Sequence, residues 1–137
     1  MKRFLLSCCL LLAAFNCHGD EMAAKAAIKT LAETLKGELQ TAMQSGGPTA
    51  AIEVCSTKAM ELTQQIGHER NMHLARVSLR NRNPANAPNH WQSEVLQDFE
   101  RRLAQDHDIN TLTWSDTTDV DGGREYRFMK AIPTGGV

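Results

Sequence analysis

The tripeptide Gly46-Gly47-Pro48 divides the first half of the chain into two helical segments. Glycine readily leaves the helical conformation and proline favours the first turn of a helix, so one helix should end here and another begin at Pro48 or Thr49. We predict the first helix over 20–45 and a C-terminal cap for the second at Gly67. Each has an apolar stripe with spacings of three and four: Ile28, Leu31, Leu35, Leu39 and Ala42, then Ile52, Cys55, Ala59, Leu62 and Ile66. The stripes are expected to pack on each other or on a sheet.

The second half of the chain predicts one helix and a small antiparallel sheet. The helix should start near Asn89, because apolar residues recur four apart at Trp91, Val95, Phe99 and Leu103. Alternating patterns or β-rich composition predict strands over 74–79, 109–113 and 125–132, with a Pro/Asn-rich loop over 80–88 and a turn at Asp121-Gly122-Gly123. Helices preceding such a sheet indicate an α+β class. Three strands make a small sheet, so we expect the domain to be incomplete at its C-terminus or completed by a partner.

The N-terminus has the pattern of a secretory signal peptide. Lys2 and Arg3 precede an apolar run over 4–15, which is shorter than the roughly 20 residues that span a bilayer. We predict cleavage after Gly19, which leaves a periplasmic or secreted domain over 20–137 with no transmembrane span. A lipoprotein anchored through Cys17 is the less favoured alternative, because the residues before it form a poor lipidation signal.

Charge and motifs exclude several functions. The 137 residues carry 15 Lys+Arg against 16 Asp+Glu, a balance that argues against nucleic-acid binding. The length suits one domain. The sequence has no Ser/His/Asp pattern, Gly-rich phosphate loop or His-Glu-x-x-His motif, and its histidines lack zinc-like spacing, so we do not expect an enzyme.

Cys55 is the most informative single residue. Removal of 1–19 takes away Cys8, Cys9 and Cys17 and leaves Cys55 as the sole thiol, which cannot form an internal disulfide. It could be a small apolar filler on a buried helix face. Alternatively, its soft sulfur could serve as a ligand to haem iron, with the cation of Lys58 favouring the thiolate.

Three arginines could form an anion site. Arg76, Arg80 and Arg82 share one face if the predicted strand extends into the loop, and clustered guanidinium groups bind carboxylates such as haem propionates. A solvated basic face is the equally open alternative. The aromatic side chains of Trp91, Phe99 and Trp114 could be core residues or the wall of a cofactor pocket.

Three segments together resemble a known family. They are Ala51-Ile52-Glu53-Val54-Cys55-Ser56-Thr57-Lys58-Ala59, the run Arg76-Val77-Ser78-Leu79-Arg80-Asn81-Arg82-Asn83-Pro84-Ala85-Asn86-Ala87-Pro88-Asn89-His90-Trp91, and Tyr126-Arg127-Phe128-Met129-Lys130-Ala131-Ile132-Pro133-Thr134. They are similar to the small periplasmic c-type haem domains, formerly a domain of unknown function, which also act as sensor inputs in bacterial signalling proteins. The resemblance implies a PAS-like antiparallel sheet flanked by N-terminal helices.

The resemblance also implies a cofactor. In that family the segment matching 132–137 runs into Cys-x-x-Cys-His, which attaches haem c and supplies one axial histidine, and the cysteine matching Cys55 can be the opposite ligand. This sequence has no Cys-x-x-Cys-His. We therefore expect either that the chain is truncated just before the motif or that the domain has lost its haem, and the small sheet favours truncation.

Two functional hypotheses follow from the resemblance. The first is a secreted haem c domain for electron transfer or redox or gas sensing, with a redox partner protein. Its iron would be bound by Cys55, its propionates by Arg76 or Arg80, and its ring would be walled by Trp91, Phe128 and Met129. The alternative is a haem-free PAS-like module that binds a small periplasmic ligand, with the arginines recognising a carboxylate.

Overall fold

The computed structural model describes residues 17–133, and side chains from residue 20 onwards. The predicted signal peptide over 1–19 lies largely outside the described residues, as do 134–137, so the predicted domain bounds stay predictions. Among the described residues, no helix is both long and apolar enough to cross a bilayer.

The first half of the chain is an antiparallel helical hairpin. Helix α1 (Cys17–Glu53) reverses direction at Gly47, whose φ of 67° and ψ of −158° are not helical. A π-helical segment (Val54–Lys58) then continues into α2 (Ala59–Glu69). This arrangement confirms the helix break predicted at Gly-Gly-Pro, since glycine adopts a positive φ without the steric cost of a Cβ.

Polar contacts and an apolar core hold the two helical arms together. The Arg70 guanidinium donates to Thr30 Oγ1 at 2.8 Å, and Lys58 pairs with Glu38 nearer the reversal. Between the arms lies the first core, formed by buried Ala27, Leu31 and Ile66 with partly buried Leu35, Leu62, Met72 and Leu74. The predicted apolar stripes therefore do pack on each other along this part of the hairpin.

Helix α2 ends later than predicted, and Gly67 is not its cap. The left-handed residue is Asn71, with φ 52°, and the Met72 N–H donates to the Gly67 carbonyl at 2.9 Å while the Asn71 N–H donates to that of His68 at 3.1 Å. This is the hydrogen-bond pattern of a Schellman motif. Gly67 is buried because the chain folds back over it, so that a Cβ there would lie 2.8 Å from the Met72 carbonyl oxygen.

The second half forms a separate α+β unit. Helix α3 (His90–Leu103) begins at Asn89 as predicted, with a reciprocal capping box between Asn89 and Gln92. Strands β1 (Thr113–Val120) and β2 (Gly123–Lys130) pair antiparallel across the turn at Asp121-Gly122, which is also as predicted. The second core consists of buried Val95, Phe99 and Leu112 with partly buried Trp91, Trp114, Met129 and Ala131.

Two of the three predicted strands are wrong or displaced. Residues 74–79 form no strand, because Leu74 packs on the first core and the segment has no strand beside it among the described residues. Residues Ile109–Thr111 form a 3-10 turn capped by Asp108, whose carboxylate accepts from the Asn110 N–H, and β1 starts after it. The α+β class is confirmed, whereas the PAS-like architecture stays a prediction because the described chain contains only two strands.

Candidate functional site

Cys55 is a free thiol exposed to solvent. It lies on the π-helical segment between α1 and α2, where none of the five residues is buried. The interpretation of Cys55 as a buried apolar filler is therefore wrong. Its sulfur is accessible, as a ligand for an external group must be.

The π-helical segment explains why the apolar stripe predicted for this arm fails around Cys55. A π turn holds more residues than an α turn, so it shifts the phase of every side chain that follows. As a result, Ile52 is 69% exposed while Ala59, at the other end of the segment, is 3% exposed. Lys58, which we expected to favour the thiolate, instead pairs with Glu38 of the opposite arm.

The connection from α2 to α3 runs back along α2 towards Cys55. Its first residues pass over Gly67 of α2, which lies against Met72 and Leu74. Further along, the side-chain amide Nδ2 of Asn83 donates to the Met60 sulfur at 3.6 Å. Since Met60 is only five residues after Cys55 in the sequence, the Asn-Pro-rich part of the connection lies at the same end of α2 as the thiol.

Residues 78–86 form a closed loop braced by its own hydrogen bonds. The Ser78 N–H donates to the Asn86 carbonyl at 3.0 Å and closes the ends. Inside it, Asn83 Oδ1 accepts from the Ala85 N–H at 3.0 Å, and the Asn81 side-chain amide donates to the Asn83 carbonyl at 3.1 Å. Loops of this compact, self-bonded type often carry functional side chains. The Asn-x-Asn-Pro sequence is the signal that could have predicted the bracing, since asparagine side chains bond nearby backbone.

Arg76, Arg80 and Arg82 are all exposed, and the first lies just before this loop and the other two within it. Their guanidinium groups make no hydrogen bond or ion pair with any side chain over residues 20–133. The common strand face predicted for them does not exist, because residues 74–79 form no strand. Instead, the fold places three uncompensated cations on the connection that runs towards Cys55.

The predicted aromatic wall is divided between two sides of the sheet. Trp91 and Met129 belong to the second core, with Trp91 stacked on Trp114. Phe128 pairs with Ser115 on the opposite face, where Lys25 of α1 lies 6.0 Å from its ring centroid. Adjacent residues of a strand point to opposite faces, so Phe128 and Met129 cannot line one cavity wall formed by a single face of the sheet.

The Trp91 ring also carries a cation that the sequence analysis missed. The guanidinium carbon of Arg127 lies 5.1 Å from the Trp91 ring centroid, within the range of a cation–π interaction. Arg127 and Trp114 lie on the same face of the sheet. Trp114 pairs with Met129, and Arg127 is two residues before Met129 on the same strand. The two rings are therefore engaged within the protein, and this supports the interpretation of Trp91 and Trp114 as packing residues.

Two open grooves accompany these elements. One of about 350 Å³ lies at the reversal of the helical hairpin, between Ala42, Val54 and Lys58. The other, of about 210 Å³, lies beside Trp91 and Trp114. Neither is lined by Cys55 or by the arginines of the connection. The two grooves therefore do not bring the predicted haem residues Cys55, Arg76 and Arg80 together.

The donor atoms in this region suit a haem better than a hard metal ion. An exposed thiol is a soft ligand for haem iron, and unpaired guanidinium groups match the propionate carboxylates. Over the described part of the chain, no group of three or more His, Cys, Asp or Glu side chains is placed to hold a metal ion. The soft sulfur of Cys55 and the guanidinium groups of Arg76 and Arg80 have the chemistry that the resemblance implies, but neither groove brings them together.

Comparison with known proteins gives one positive result. The sequence model of the Tll0287-like family, described as Tll0287, matches residues 20–136. No curated protein and no solved structure matches the chain significantly. The family match begins at the first residue after the predicted cleavage site and includes all three segments that carry the resemblance.

Proposed function

Because this chain belongs to the Tll0287-like family, we propose that it is a small periplasmic haem-binding domain that serves electron transfer or redox or gas sensing. The family is one of cytochrome-like domains. The observation that carries the proposal is that the loop bearing Arg80 and Arg82 contacts α2 through Asn83 and Met60, five residues along the chain from the exposed thiol of Cys55.

Cys55 is the proposed axial ligand to the haem iron. Its sulfur is exposed, and the neighbouring cation of Lys58 is neutralised by Glu38. The exposed apolar side chains of Ile52 and Met60 flank it in sequence and offer surface that a porphyrin would cover. When bound, the haem supplies a one-electron centre whose potential depends on its axial ligands and on its exposure to water.

Arg76 and Arg80 are the proposed propionate ligands. A guanidinium group binds a carboxylate through two parallel hydrogen bonds, and its positive charge is available here because no acidic partner neutralises it over residues 20–133. The backbone of Arg80 is fixed by donation from its N–H to Ser78 Oγ at 3.1 Å. This bond holds the Arg80 backbone in place before any ligand arrives, which lowers the ordering cost of binding.

A haemin titration of the purified protein tests the ligand assignment. We expect a saturable Soret band with the spectroscopic signature of thiolate ligation, which Cys55→Ser should remove. Ser56→Ala changes an exposed neighbour on the same π-helical segment and should leave the spectrum unchanged. A Cys55→Ser spectrum identical to that of the unsubstituted protein would remove Cys55 from the iron.

A second measurement separates covalent from non-covalent haem. The gene is expressed in a host with working cytochrome maturation, and the purified protein is extracted with acidified acetone. Haem that stays with the protein is covalently attached, whereas haem that enters the acetone is held by ligation and packing alone. The same preparation gives the pyridine haemochrome spectrum, which reports the type of attachment.

A haem-free binding module is the second candidate function. The observation that favours it is the same set of unpaired arginines, since these recognise any small carboxylate. A colourless protein from the maturation host, together with stabilisation of the fold by small dicarboxylates in a thermal melt, would support this alternative. Loss of that stabilisation in Arg80→Gln would place the carboxylate on the braced loop.

A further inference from the structure

The connection from α2 to α3, together with the first turn of α3, has no acidic side chain. Residues 70–93 contain four arginines and two histidines but no aspartate, glutamate or lysine. Removing these four arginines leaves 11 basic against 16 acidic side chains in the rest of the chain. The molecule is therefore polarised, with a basic connection on an otherwise acidic protein, and such polarisation steers oppositely charged partners during encounter.

The basic face consists of Arg76, Arg80 and Arg82, whose side chains are exposed. None of the three has an acidic partner over residues 20–133, whereas Arg101, Arg124 and Arg127 each pair with a carboxylate elsewhere on the molecule. Three unpaired arginines within seven residues of sequence are thus a distinguishing feature of this segment.

The loop that carries Arg80 and Arg82 is preorganised. Its ends are joined by the bond from Ser78 to Asn86, and Asn83 ties it both to Ala85 and to Met60 of α2. A surface whose backbone is already ordered loses less entropy on binding than a flexible tail does. The basic face accordingly suits a defined partner surface.

From this charge pattern we infer that the basic face docks, through Arg82, onto a carboxylate-rich protein surface. The cations are all arginine, whose planar fork matches carboxylates in a bidentate manner. A membrane surface is disfavoured, since binding there is strengthened by apolar side chains that insert, and none of the large exposed apolar residues of the described chain lies within 70–93.

The inference rests on the proposed function for its biological meaning, because it identifies the chemistry of the redox or signalling partner. In that scheme Arg76 and Arg80 hold the propionates, and Arg82 is the part of the basic face left for docking. A partner seated on the braced loop would lie close to the end of α2 that presents Cys55. It would therefore meet the protein beside the proposed haem.

The test measures binding of a fluorescein-labelled octaglutamate peptide to the full protein by anisotropy. We expect saturable binding at low salt, weaker binding as salt is raised, and none to octaglutamine. Arg82→Glu should weaken the affinity by about threefold or more, a size typical of one exposed charge pair reversed. Arg82→Gln gives a milder version of the same change, and thermal melts confirm that both variants fold.

The matched control is Lys36→Glu, which alters net charge equally. Lys36 is exposed on α1 and has no ion pair over the described residues. The inference predicts near-native affinity for this variant, and an equal loss in Lys36→Glu and Arg82→Glu would overturn it. Binding to vesicles of phosphatidylcholine and phosphatidylglycerol with the same Arg82 dependence, without peptide binding, would also overturn it in favour of a membrane face.

Haemin titrations of the same variants separate the two proposals. Arg82→Glu should bind haemin as the unsubstituted protein does, because Arg82 is not among the proposed haem ligands. Peptide binding that depends on Arg82 in a protein that binds no haem would keep the docking face and discard the haem function. Haem binding without peptide binding would support the haem function and overturn the docking face.

Discussion

Trp91 and Trp114 stack with their ring centroids 5.3 Å apart and their planes inclined by 24°. One ring belongs to α3 and the other to β1, so the stack joins the helix to the sheet. They are the only two tryptophans of the chain. Their coupling is therefore a direct spectroscopic report on the second core.

We expect Trp114→Ala to lower the free energy of unfolding by about 2–4 kcal/mol, since it deletes a large, partly buried ring and removes the stacking contact with Trp91. Trp114→Phe keeps a ring against Trp91 and should cost less than half as much. Urea denaturation measures both values. Circular dichroism should lose the band from coupled indoles in both variants, and its persistence would show that the two rings do not stack in solution.

Two glycines in helices should respond to alanine with opposite signs. Gly37→Ala places its Cβ in open space and should stabilise the protein by about 0.5–1 kcal/mol through helix propensity. Gly67→Ala should destabilise it, because the new Cβ would meet the Met72 carbonyl oxygen at 2.8 Å. Thermal melts of the two variants measure the difference, and stabilisation by both would mean that the chain does not fold back over α2.

Two leucines near the ends of α3 and β1 differ in burial. Leu112 is fully buried and Leu103 is 37% exposed. Leu112→Ala should therefore cost about 3–4 kcal/mol of stability, and Leu103→Ala less than about 1.5 kcal/mol. Chemical denaturation gives both numbers. Equal losses would contradict the position of the second core.

The thiol of Cys55 should react in the folded state. Because its side chain is exposed, an aromatic disulfide reagent should modify the protein that lacks 1–19 at the same rate with and without mild denaturant. Mass spectrometry of the product counts one label. Haemin added before the reagent should slow the reaction if the sulfur binds iron, and unchanged kinetics with haemin bound would argue against that bond.

The break between the first two helices, the start of α3 and the turn of the β-hairpin were predictable because their signals are local. Gly-Gly-Pro stops a helix through backbone geometry that no distant contact overrides, and Gly47 does adopt a positive φ. Asn89 and Gln92 form the capping box at the predicted start of α3. The turn at Asp121-Gly122 likewise depends on the conformational freedom of a few residues.

The alternating pattern over 74–79 could not show that this segment forms no strand. A strand exists only where a second strand pairs with it, and Leu74 instead packs onto the first core. The exposure of Cys55 depends on the π-helical segment, whose extra residue changes the phase of the stripe without a distinctive composition. Gly67 is glycine because of close packing, and composition does not distinguish that role from a cap.

The sequence supplied candidate site residues but not their arrangement, and their assignment to a site stays a prediction. Cys55 and the arginines were identified from chemistry and resemblance, while the contact of Asn83 with Met60, which joins the loop to α2, is tertiary. Phe128 and Met129 could have been separated by the alternation rule, since adjacent strand residues face opposite ways.

The two cores have no residue in common, and the helical hairpin and the α3–sheet unit are linked by one long connection and meet where Lys25 of α1 lies over the Phe128 ring. Units packed in this way open independently, so hydrogen exchange in one half should proceed without exposing amides in the other. A molecule bound by the connection would contact the segment that joins the two units. Its binding would then slow hydrogen exchange in both units, so that the bound protein is more rigid than the free one.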